Sequence, residues 1–354
     1  MKILSVRGAL PARRHHQAEV TDAFAEVIEG GTKEKALRAI HANTGVDYRH
    51  MVLPIEQYAE LDSFDQANDL FLEHAVALGA EALEAALEAA GLAPSDVDLI
   101  ISTTVTGLAV PSLDSRIAAV VGLRPDVKRI PLFGLGCVAG AAGVARLHDY
   151  LVGHPGSVAV LVAVELCSLT FQRDDLSVAN IVASGLFGDG AAAVVAGGGS
   201  RRGPIEVLDS RSRLYPDSQR TMGFDVGSRG LRIVLDAQVP VLVERYIGDD
   251  VDGFLGDHGL GRSDIEWWVC HPGGPKVIDA LRDALALEDH DLALTRESLS
   301  RIGNLSSASV LHVLADTLTQ RPPRPGSYGM LMAMGPGFCS ELVLLRAGQD
   351  GPAT

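Results

Sequence analysis

The fold is decided by the stretch GLGCVAGAAGVARLHDYL, residues 134–151, where glycines and a cysteine lead into small and apolar residues at helical spacing. A second stretch, GNLSSASVLHVLADTL at 303–318, has the same plan, because a glycine and an asparagine lead into another run that favours a helix. A unit that occurs twice in this way indicates two similar halves.

The residues around the two stretches also correspond, in the same order. A Ser-Asp turn and an apolar run come first, and Asp96 precedes Cys137 by 41 residues while Asp264 precedes Asn304 by 40. After each predicted helix, a glycine-rich turn leads into an apolar strand. These correspondences predict a duplicated domain.

Helices alternate with fully apolar strands along the chain, which is typical of an α/β fold whose sheets are covered on both faces. A long helix is predicted to end at Gly91, and buried strands are predicted at 97–103, 158–164, 191–196, 267–270 and 328–333. The two halves are predicted as residues 1–200 and 201–354, joined by a segment rich in glycine and arginine.

The composition narrows the class of protein. The 354 residues are 47% hydrophobic and 21% charged, as in globular proteins, and the formal net charge is −15. This acidity disfavours nucleic acid as a partner, because phosphate binding needs a concentrated basic surface. Apolar runs are too short for a membrane span. Four cysteines without CxxC spacing predict neither disulfides nor a zinc site. With no targeting signal, we expect a cytoplasmic protein.

Three residues are candidates for chemistry. Cys137 follows two glycines at a predicted helix start, where free N–H groups and the helix dipole lower a thiol pKa. His271 follows a buried strand, at the sheet edge where α/β folds bind ligands. Asn304 is the duplicate of Cys137, so pseudo-symmetry should bring both to one axis. Singly they have ordinary explanations, a small hydrophobe, a core imidazole and an N-cap. Together they form a nucleophile, an acid–base partner and an oxyanion donor.

Longer motifs carry a family resemblance. Five segments resemble the type III polyketide synthases of the chalcone synthase superfamily, in order along the chain: GLGCVAGAAG (134–143), GLFGDGAAA (185–193), HPGGPKVIDAL (271–281), GNLSSASVL (303–311) and MGPGF (334–338). Further stretches resemble the actinobacterial and mycobacterial-type long-chain alkylpyrone synthases, at 43–58, 104–118, 164–171 and 213–232. Ketoacyl-carrier-protein synthases III share the three residue types but usually carry His-Gln-Ala-Asn at the histidine. This chain has His-Pro-Gly-Gly there instead.

The resemblance implies a thiolase-like fold of two αβα halves in a five-layered αβαβα core, a homodimer, and coenzyme A thioesters as substrates without a metal or organic cofactor. It also implies that Cys137 is the acyl-carrying nucleophile and that His271 keeps it as a thiolate. His271 and Asn304 would bind the malonyl thioester and stabilise the enolate left by decarboxylation. That step needs fixed donors in a dry site.

The resemblance extends to the pocket. Phe187 corresponds to the gate aromatic of the family, whereas the second gate position carries Ile233 and the position before Gly-Pro-Gly carries Met334. These aliphatic residues predict a cavity that suits a flexible acyl chain. Further pocket or tunnel residues are expected at Val105, Thr106, Cys167 and Thr170.

Two more expectations concern the product and the coenzyme. Val105 stands where naphthalene-forming relatives are expected to carry cysteine, which disfavours a naphthalene product. Cations should meet the coenzyme A phosphates at the tunnel mouth. The best candidates in this acidic chain are Lys35, Arg38 and Arg49, together with Lys33.

The expected reaction is therefore loading of a medium- or long-chain acyl-CoA on Cys137, two or so decarboxylative condensations with malonyl-CoA or methylmalonyl-CoA, and lactonisation to an alkyl-α-pyrone. Aldol closure to an alkylresorcinol or another phenol stays open. So does a ketoacyl-carrier-protein synthase III-like activity. An inactive dimer partner that binds acyl chains is disfavoured by the intact set of three residues.

Overall fold

The computed structural model describes residues 1–27, 32–172, 174–227 and 230–348, so the end of the predicted second half, 349–354, lies outside it. The strands are β1 (Lys2–Ala9), β2 (Arg13–His16), β3 (Tyr48–Met51), β4 (Leu99–Thr104), β5 (Lys128–Phe133), β6 (Val158–Leu166), β7 (Asp189–Gly197), β8 (Ile205–Leu214), β9 (Met222–Gly227), β10 (Gly230–Leu235), β11 (Ile265–Cys270), β12 (Tyr328–Gly335) and β13 (Cys339–Ala347). The α-helices are α1 (Gln17–Val27), α2 (Thr32–Ala42), α3 (Phe64–Ala90), α4 (Leu113–Val121), α5 (Ala139–Gly153), α6 (Val178–Leu186), α7 (Val239–Asp257), α8 (Pro275–Leu285), α9 (Ala293–Ile302) and α10 (Ser309–Gln320).

The main sheet shows the duplication directly. Over the described ranges it has nine strands in the order β11-β12-β13-β8-β1-β7-β6-β4-β5. β4 runs parallel to β6, which pairs antiparallel with β7, and β7 pairs antiparallel with β1. β11, β12, β13 and β8 repeat this pattern strand for strand. The halves join where Lys2 and Ile3 of β1 pair with β8. The predicted duplicated fold is confirmed, and β5 is an added edge strand.

Five layers follow from where the apolar faces are buried. α5 and α10 pack between the two halves of the sheet, in one hydrophobic cluster. α3 and α4 cover the outer face of the first half, and α7 and α8 cover that of the second. Along β12, Leu331 and Ala333 belong to the central cluster whereas Met330 and Met332 belong to the outer one. This alternation is the period of two that a strand covered on both faces requires.

The strands and the long helix that the sequence predicted are all present. All five predicted strands are present, as β4, β6, β7, β11 and β12. The predicted long helix is α3, where the Ser63 side chain accepts a hydrogen bond from the Gln66 N–H and Gly91 ends the helix with a φ of 65°. Within the described ranges, no helix combines the length and apolar character that crossing a bilayer requires.

The helix starts near the two key stretches were predicted too early. Cys137 was expected to begin a helix, but α5 begins two residues later, and α10 begins five residues after Asn304. The reason is a left-handed residue in each place, Gly136 with φ 53° and Ser306 with φ 47°, which a right-handed helix cannot include. Each leads into a short 3₁₀ turn before the α-helix.

Candidate active site

One cavity of about 1080 Å³ collects the three candidate residues. It lies between α2, α6, the β9–β10 hairpin and the first turns of α7 and α8. Cys137, His271 and Asn304 all line it, although they come from both halves of the chain. The structure therefore brings together the thiol, the imidazole and the carboxamide that the sequence singled out.

Cys137 lies in the 3₁₀ turn before α5 and is 8% exposed. Its thiol donates a hydrogen bond to the Ser306 hydroxyl, with 3.7 Å between the sulfur and the oxygen. Burial raises the pKa of the Cys137 thiol to about 12, the hydrogen bond with Ser306 opposes this rise, and the nearby Glu165 carboxyl adds to it. A thiolate in this cavity therefore needs a cation brought opposite to it.

His271 follows the last residue of β11, and its backbone N–H donates to the backbone carbonyl of Met332 at 3.0 Å. Burial lowers the pKa of the imidazole to about 3, so it is neutral at pH 7 in the ligand-free cavity. Neither ring nitrogen has a hydrogen-bond partner among the residues that the structure describes. Both nitrogens are thus available to a ligand in the cavity that His271 lines.

Asn304 is held by its backbone beside Phe187. The Asn304 N–H donates to the carbonyl of Leu186 at 2.9 Å, and the Gly188 N–H donates to the carbonyl of Asn304 at 3.0 Å. The side-chain oxygen accepts a hydrogen bond from the Ser306 N–H at 2.8 Å. The carboxamide oxygen is therefore occupied, and the side-chain NH₂ group remains as a donor.

The other predicted pocket residues also lie on the cavity wall: Phe187, Val105, Thr106, Cys167, Thr170, Ile233 and Met334. Thr170 is fixed there because its hydroxyl donates to the carbonyl of Cys167 at 2.8 Å. Burial raises the pKa of the Cys167 thiol, so this second cysteine is neutral at pH 7. Placement on the wall agrees with the prediction, and the role of each residue stays a prediction.

The cations predicted to bind coenzyme A do not lie together at the cavity. Lys35 and Arg38 are exposed on α2 and are absent from the described cavity wall, and Arg38 pairs with Asp22 and Glu34. Arg49 does line the cavity but is only 2% exposed. Its guanidinium donates to the backbone carbonyls of Ser184 and Phe187 and so holds the end of α6 and Phe187 in place. Burial lowers its pKa to about 10, which leaves it charged at pH 7.

A cation that the sequence reading passed over lies at the cavity instead. Among the lining residues that the structure describes, the charged side chains are Arg49, Asp236 and Lys276. Lys276 is exposed in the first turn of α8. The signal was its position directly after HPGGP, since a helix that starts at a ligand-binding sheet edge points its first turn at the ligand.

Glu165 is a second residue that sequence reasoning missed. This fully buried carboxylate accepts hydrogen bonds from the Thr106 hydroxyl at 2.9 Å, the Val105 N–H at 3.1 Å and the Ser307 hydroxyl at 2.5 Å. It thereby ties β6 of the first half to the turn before α10 of the second. A carboxylate inside the otherwise apolar strand VAVLVAVEL was the available signal, because such a group must find partners.

The arrangement suits acyl transfer. A thiol, a neutral imidazole with free nitrogens and a carboxamide NH₂ group line one cavity, a combination that suits thioester chemistry. Within the described residues, no group of histidine, cysteine, aspartate and glutamate side chains could hold a metal ion.

Comparison with known proteins identifies the family. Models of the chalcone and stilbene synthases match residues 1–200, as the N-terminal domain, and residues 206–348, as the C-terminal domain. A 1,3,6,8-tetrahydroxynaphthalene synthase of Streptomyces peucetius subsp. caesius is 53% identical over 97% of this chain and 92% of its own length. A 3,5-dihydroxyphenylacetyl-CoA synthase of Streptomyces toyocaensis is 34% identical over 98% of this chain and 90% of its own length.

A solved structure agrees with both. The 1,3,6,8-tetrahydroxynaphthalene synthase of Streptomyces coelicolor A3(2), a bacterial type III polyketide synthase, superposes with a TM-score of 0.94 and 30% identity, covering 98% of this chain and 99% of that one. These relatives are named for aromatic products, so the comparisons support the predicted family and not the predicted alkylpyrone subgroup. The chain belongs to the chalcone and stilbene synthase family and is a type III polyketide synthase, an acyltransferase-type condensing enzyme with a thiolase-like fold.

Proposed function

We propose that this enzyme condenses a medium- or long-chain acyl-CoA with malonyl-CoA, or with methylmalonyl-CoA, and releases an alkyl-α-pyrone. The observation that carries the proposal is the cavity. Its volume of about 1080 Å³ exceeds the ~300–1,000 Å³ typical of sites for drug-sized ligands. Val105, Ile233 and Met334 give it an aliphatic wall, which a flexible acyl chain would fill by burying its methylenes.

The proposed first step is acyl transfer. The sulfur of Cys137 attacks the thioester carbonyl of the acyl-CoA, and His271 takes the thiol proton. The carbon–sulfur bond to coenzyme A then breaks, and the coenzyme leaves as a thiol with the proton returned by His271. No metal or organic cofactor enters this step, because the chain supplies the nucleophile and the base.

The proposed second step is decarboxylative condensation. In malonyl-CoA the bond to the carboxylate breaks, CO₂ leaves, and its electron pair forms an enolate. The NH₂ group of Asn304 and a ring N–H of His271 donate hydrogen bonds to the enolate oxygen. The enolate carbon attacks the acyl group on Cys137, so a carbon–carbon bond forms and the thiolate leaves.

Two variants separate these steps. Cys137→Ala should form no acyl-enzyme and no pyrone but should still release CO₂ from malonyl-CoA, because that release uses His271 and Asn304. Asn304→Ala should load an acyl group on Cys137 yet release little CO₂. Intact-protein mass and trapped CO₂ measure the two steps. Normal CO₂ release with failed loading in Asn304→Ala would contradict the assigned role.

A second candidate is closure to a polyhydroxylated aromatic ring, which the name of the 53% identical relative favours. A 1,3,6,8-tetrahydroxynaphthalene carries no alkyl branch, and its alternating oxygens fit a chain of two-carbon units. Product mass distinguishes the candidates, since a pyrone or an alkylresorcinol retains the acyl starter and a naphthalene forms from malonyl-CoA without it. Turnover of carrier-protein thioesters alone would instead indicate a ketoacyl synthase.

We also propose that the enzyme works as a homodimer in the cytoplasm, where acyl-CoA and malonyl-CoA are available. β5 is the last strand at one end of the sheet, and Ile130 and Phe133 on it are 39% and 54% exposed. Val110 is 96% exposed. An unpaired edge strand with apolar side chains is a template for pairing with another chain. A second copy pairing edge to edge would cover this surface.

A further inference from the structure

Two serines that follow Asn304 fix the direction of its carboxamide. The Ser306 N–H and the Ser309 hydroxyl both donate to the side-chain oxygen of Asn304, at 2.8 and 3.4 Å. An amide oxygen has two acceptor positions, so both are used. The NH₂ group is thereby left as the part of the carboxamide that can serve the cavity, which Asn304 lines.

Ser309 is itself held in place. It is the first residue of α10, is fully buried, and its oxygen accepts a hydrogen bond from the Leu305 N–H at 2.6 Å. Because its oxygen is taken by that donor, its single proton is directed to the oxygen of Asn304. Ser309 thus connects the backbone of the turn, at Leu305, to the side chain of Asn304, five residues before it.

Ser306 completes the arrangement from the other side. Its left-handed backbone, with φ 47°, is strained for a residue with a side chain and must be held by its surroundings. This conformation turns its N–H back to Asn304 while its hydroxyl receives the thiol of Cys137. Both serines donate to the carboxamide oxygen of Asn304, which leaves the NH₂ group for the cavity.

We propose that Ser309 is a positioning residue for decarboxylation, because it keeps the carboxamide of Asn304 from rotating. Without the Ser309 hydroxyl, only the Ser306 N–H holds the oxygen, so the carboxamide rotates more freely, and an oxygen turned toward the enolate repels it. The proposal rests on the proposed function of Asn304 as a donor to the enolate. Acyl loading on Cys137 does not use that donor and is unaffected.

The direct test is Ser309→Ala, assayed for CO₂ release from malonyl-CoA and for acyl loading by intact-protein mass. We expect kcat for CO₂ release to fall about tenfold or more, below the ~10²–10³-fold loss typical of deleting such a donor, with KM nearly unchanged. Acyl loading should match the wild type. Ser298→Ala is the matched control, since Ser298 is equally buried and its hydroxyl has no hydrogen-bond partner among the described residues.

A double-mutant cycle separates positioning from general damage. In an Asn304→Ala background, Ser309→Ala should cause no further loss of CO₂ release, because nothing is left to position. Equal losses in both backgrounds would overturn the proposal, as would a wild-type rate in Ser309→Ala. If Asn304→Ala also releases CO₂ at the wild-type rate, the proposed function of Asn304 fails instead.

A near-isosteric variant guards against misfolding. Ser309→Ala leaves the Leu305 N–H without its acceptor, which destabilises the turn. Ser309→Cys keeps the shape and a weak donor and acceptor, so it should fold and show an intermediate rate. A wild-type rate of CO₂ release in Ser309→Cys, when Ser309→Ala cannot be purified, overturns the proposal.

Discussion

Replacing His271 by alanine should raise the pKa of the Cys137 thiol sharply. While the imidazole is neutral, burial, with the nearby Glu165 adding to the rise, brings that pKa to about 12. A thiol beside an imidazolium can instead have a pKa of about 3.5–7.5. His271 lines the same cavity with two free ring nitrogens, so it is the group that can take the proton and remain as the counter-charge.

The size of the effect follows from the two pKa values. With a pKa near 7, about half of the thiol is ionised at pH 7. With the pKa of about 12 that burial imposes on Cys137, the thiolate fraction at pH 7 is on the order of 10⁻⁵. The thiolate is the reactive form, and its fraction rises with pH. Because a thiolate of higher pKa is also more nucleophilic, with a Brønsted slope of about 0.4–0.5, the variant should alkylate about 10²–10³-fold more slowly at pH 7.

The assay is the rate of iodoacetamide labelling at Cys137 between pH 5 and 9, read by peptide mass. The wild type should reach a plateau within this range. His271→Ala should show no plateau and a rate that rises about tenfold per pH unit. His312→Gln is the control, because His312 is buried and hydrogen-bonds to the carbonyl of Ala191 outside the cavity. Superimposable profiles for the wild type and His271→Ala would refute the reasoning.

Three further predictions concern the coenzyme, the starter and the dimer. Lys276→Ala should raise KM for CoA thioesters a few-fold at constant kcat, because one exposed ion pair is worth about 0–1 kcal/mol. Lys35→Ala is the control and should leave KM unchanged. Equal KM values for the two variants would contradict the role of Lys276. Ile233→Phe should narrow the cavity and shift kcat/KM toward shorter acyl-CoA starters, and an unchanged preference would contradict an aliphatic gate. Phe133→Asp should give monomers in light scattering, unlike Val152→Asp, which changes another exposed apolar residue.

The fold could be predicted because its signals are local and occur twice. The apolar strands, the cap at Gly91 and the matched spacing around Cys137 and Asn304 each depend on neighbouring residues only. The duplication then does what a single motif cannot, since two halves with the same strand order bring equivalent turns to one axis. The convergence of the candidate residues on one cavity follows from that symmetry.

Other features could not be predicted because they depend on contacts between distant segments. The sequence predicts Arg49 as a surface cation. In the structure Arg49 is buried, and it donates to carbonyls more than a hundred residues away. The left-handed conformation of Ser306 has no signature in the sequence, because serine rarely adopts it. Lys276 gains its place only because α8 starts beside the cavity.

The disagreement between the alkylpyrone motifs and the aromatic names of the relatives has a physical origin. In the proposed reaction, CO₂ release depends on Asn304 and the turn around it, which belong to the duplicated framework. Ring closure depends instead on the shape of the cavity wall. That wall includes Val105, on the loop after β4, and Ile233, on β10. Two enzymes can therefore share the first chemistry and much of their sequence while a few wall residues change the starter that is accepted and the ring that forms.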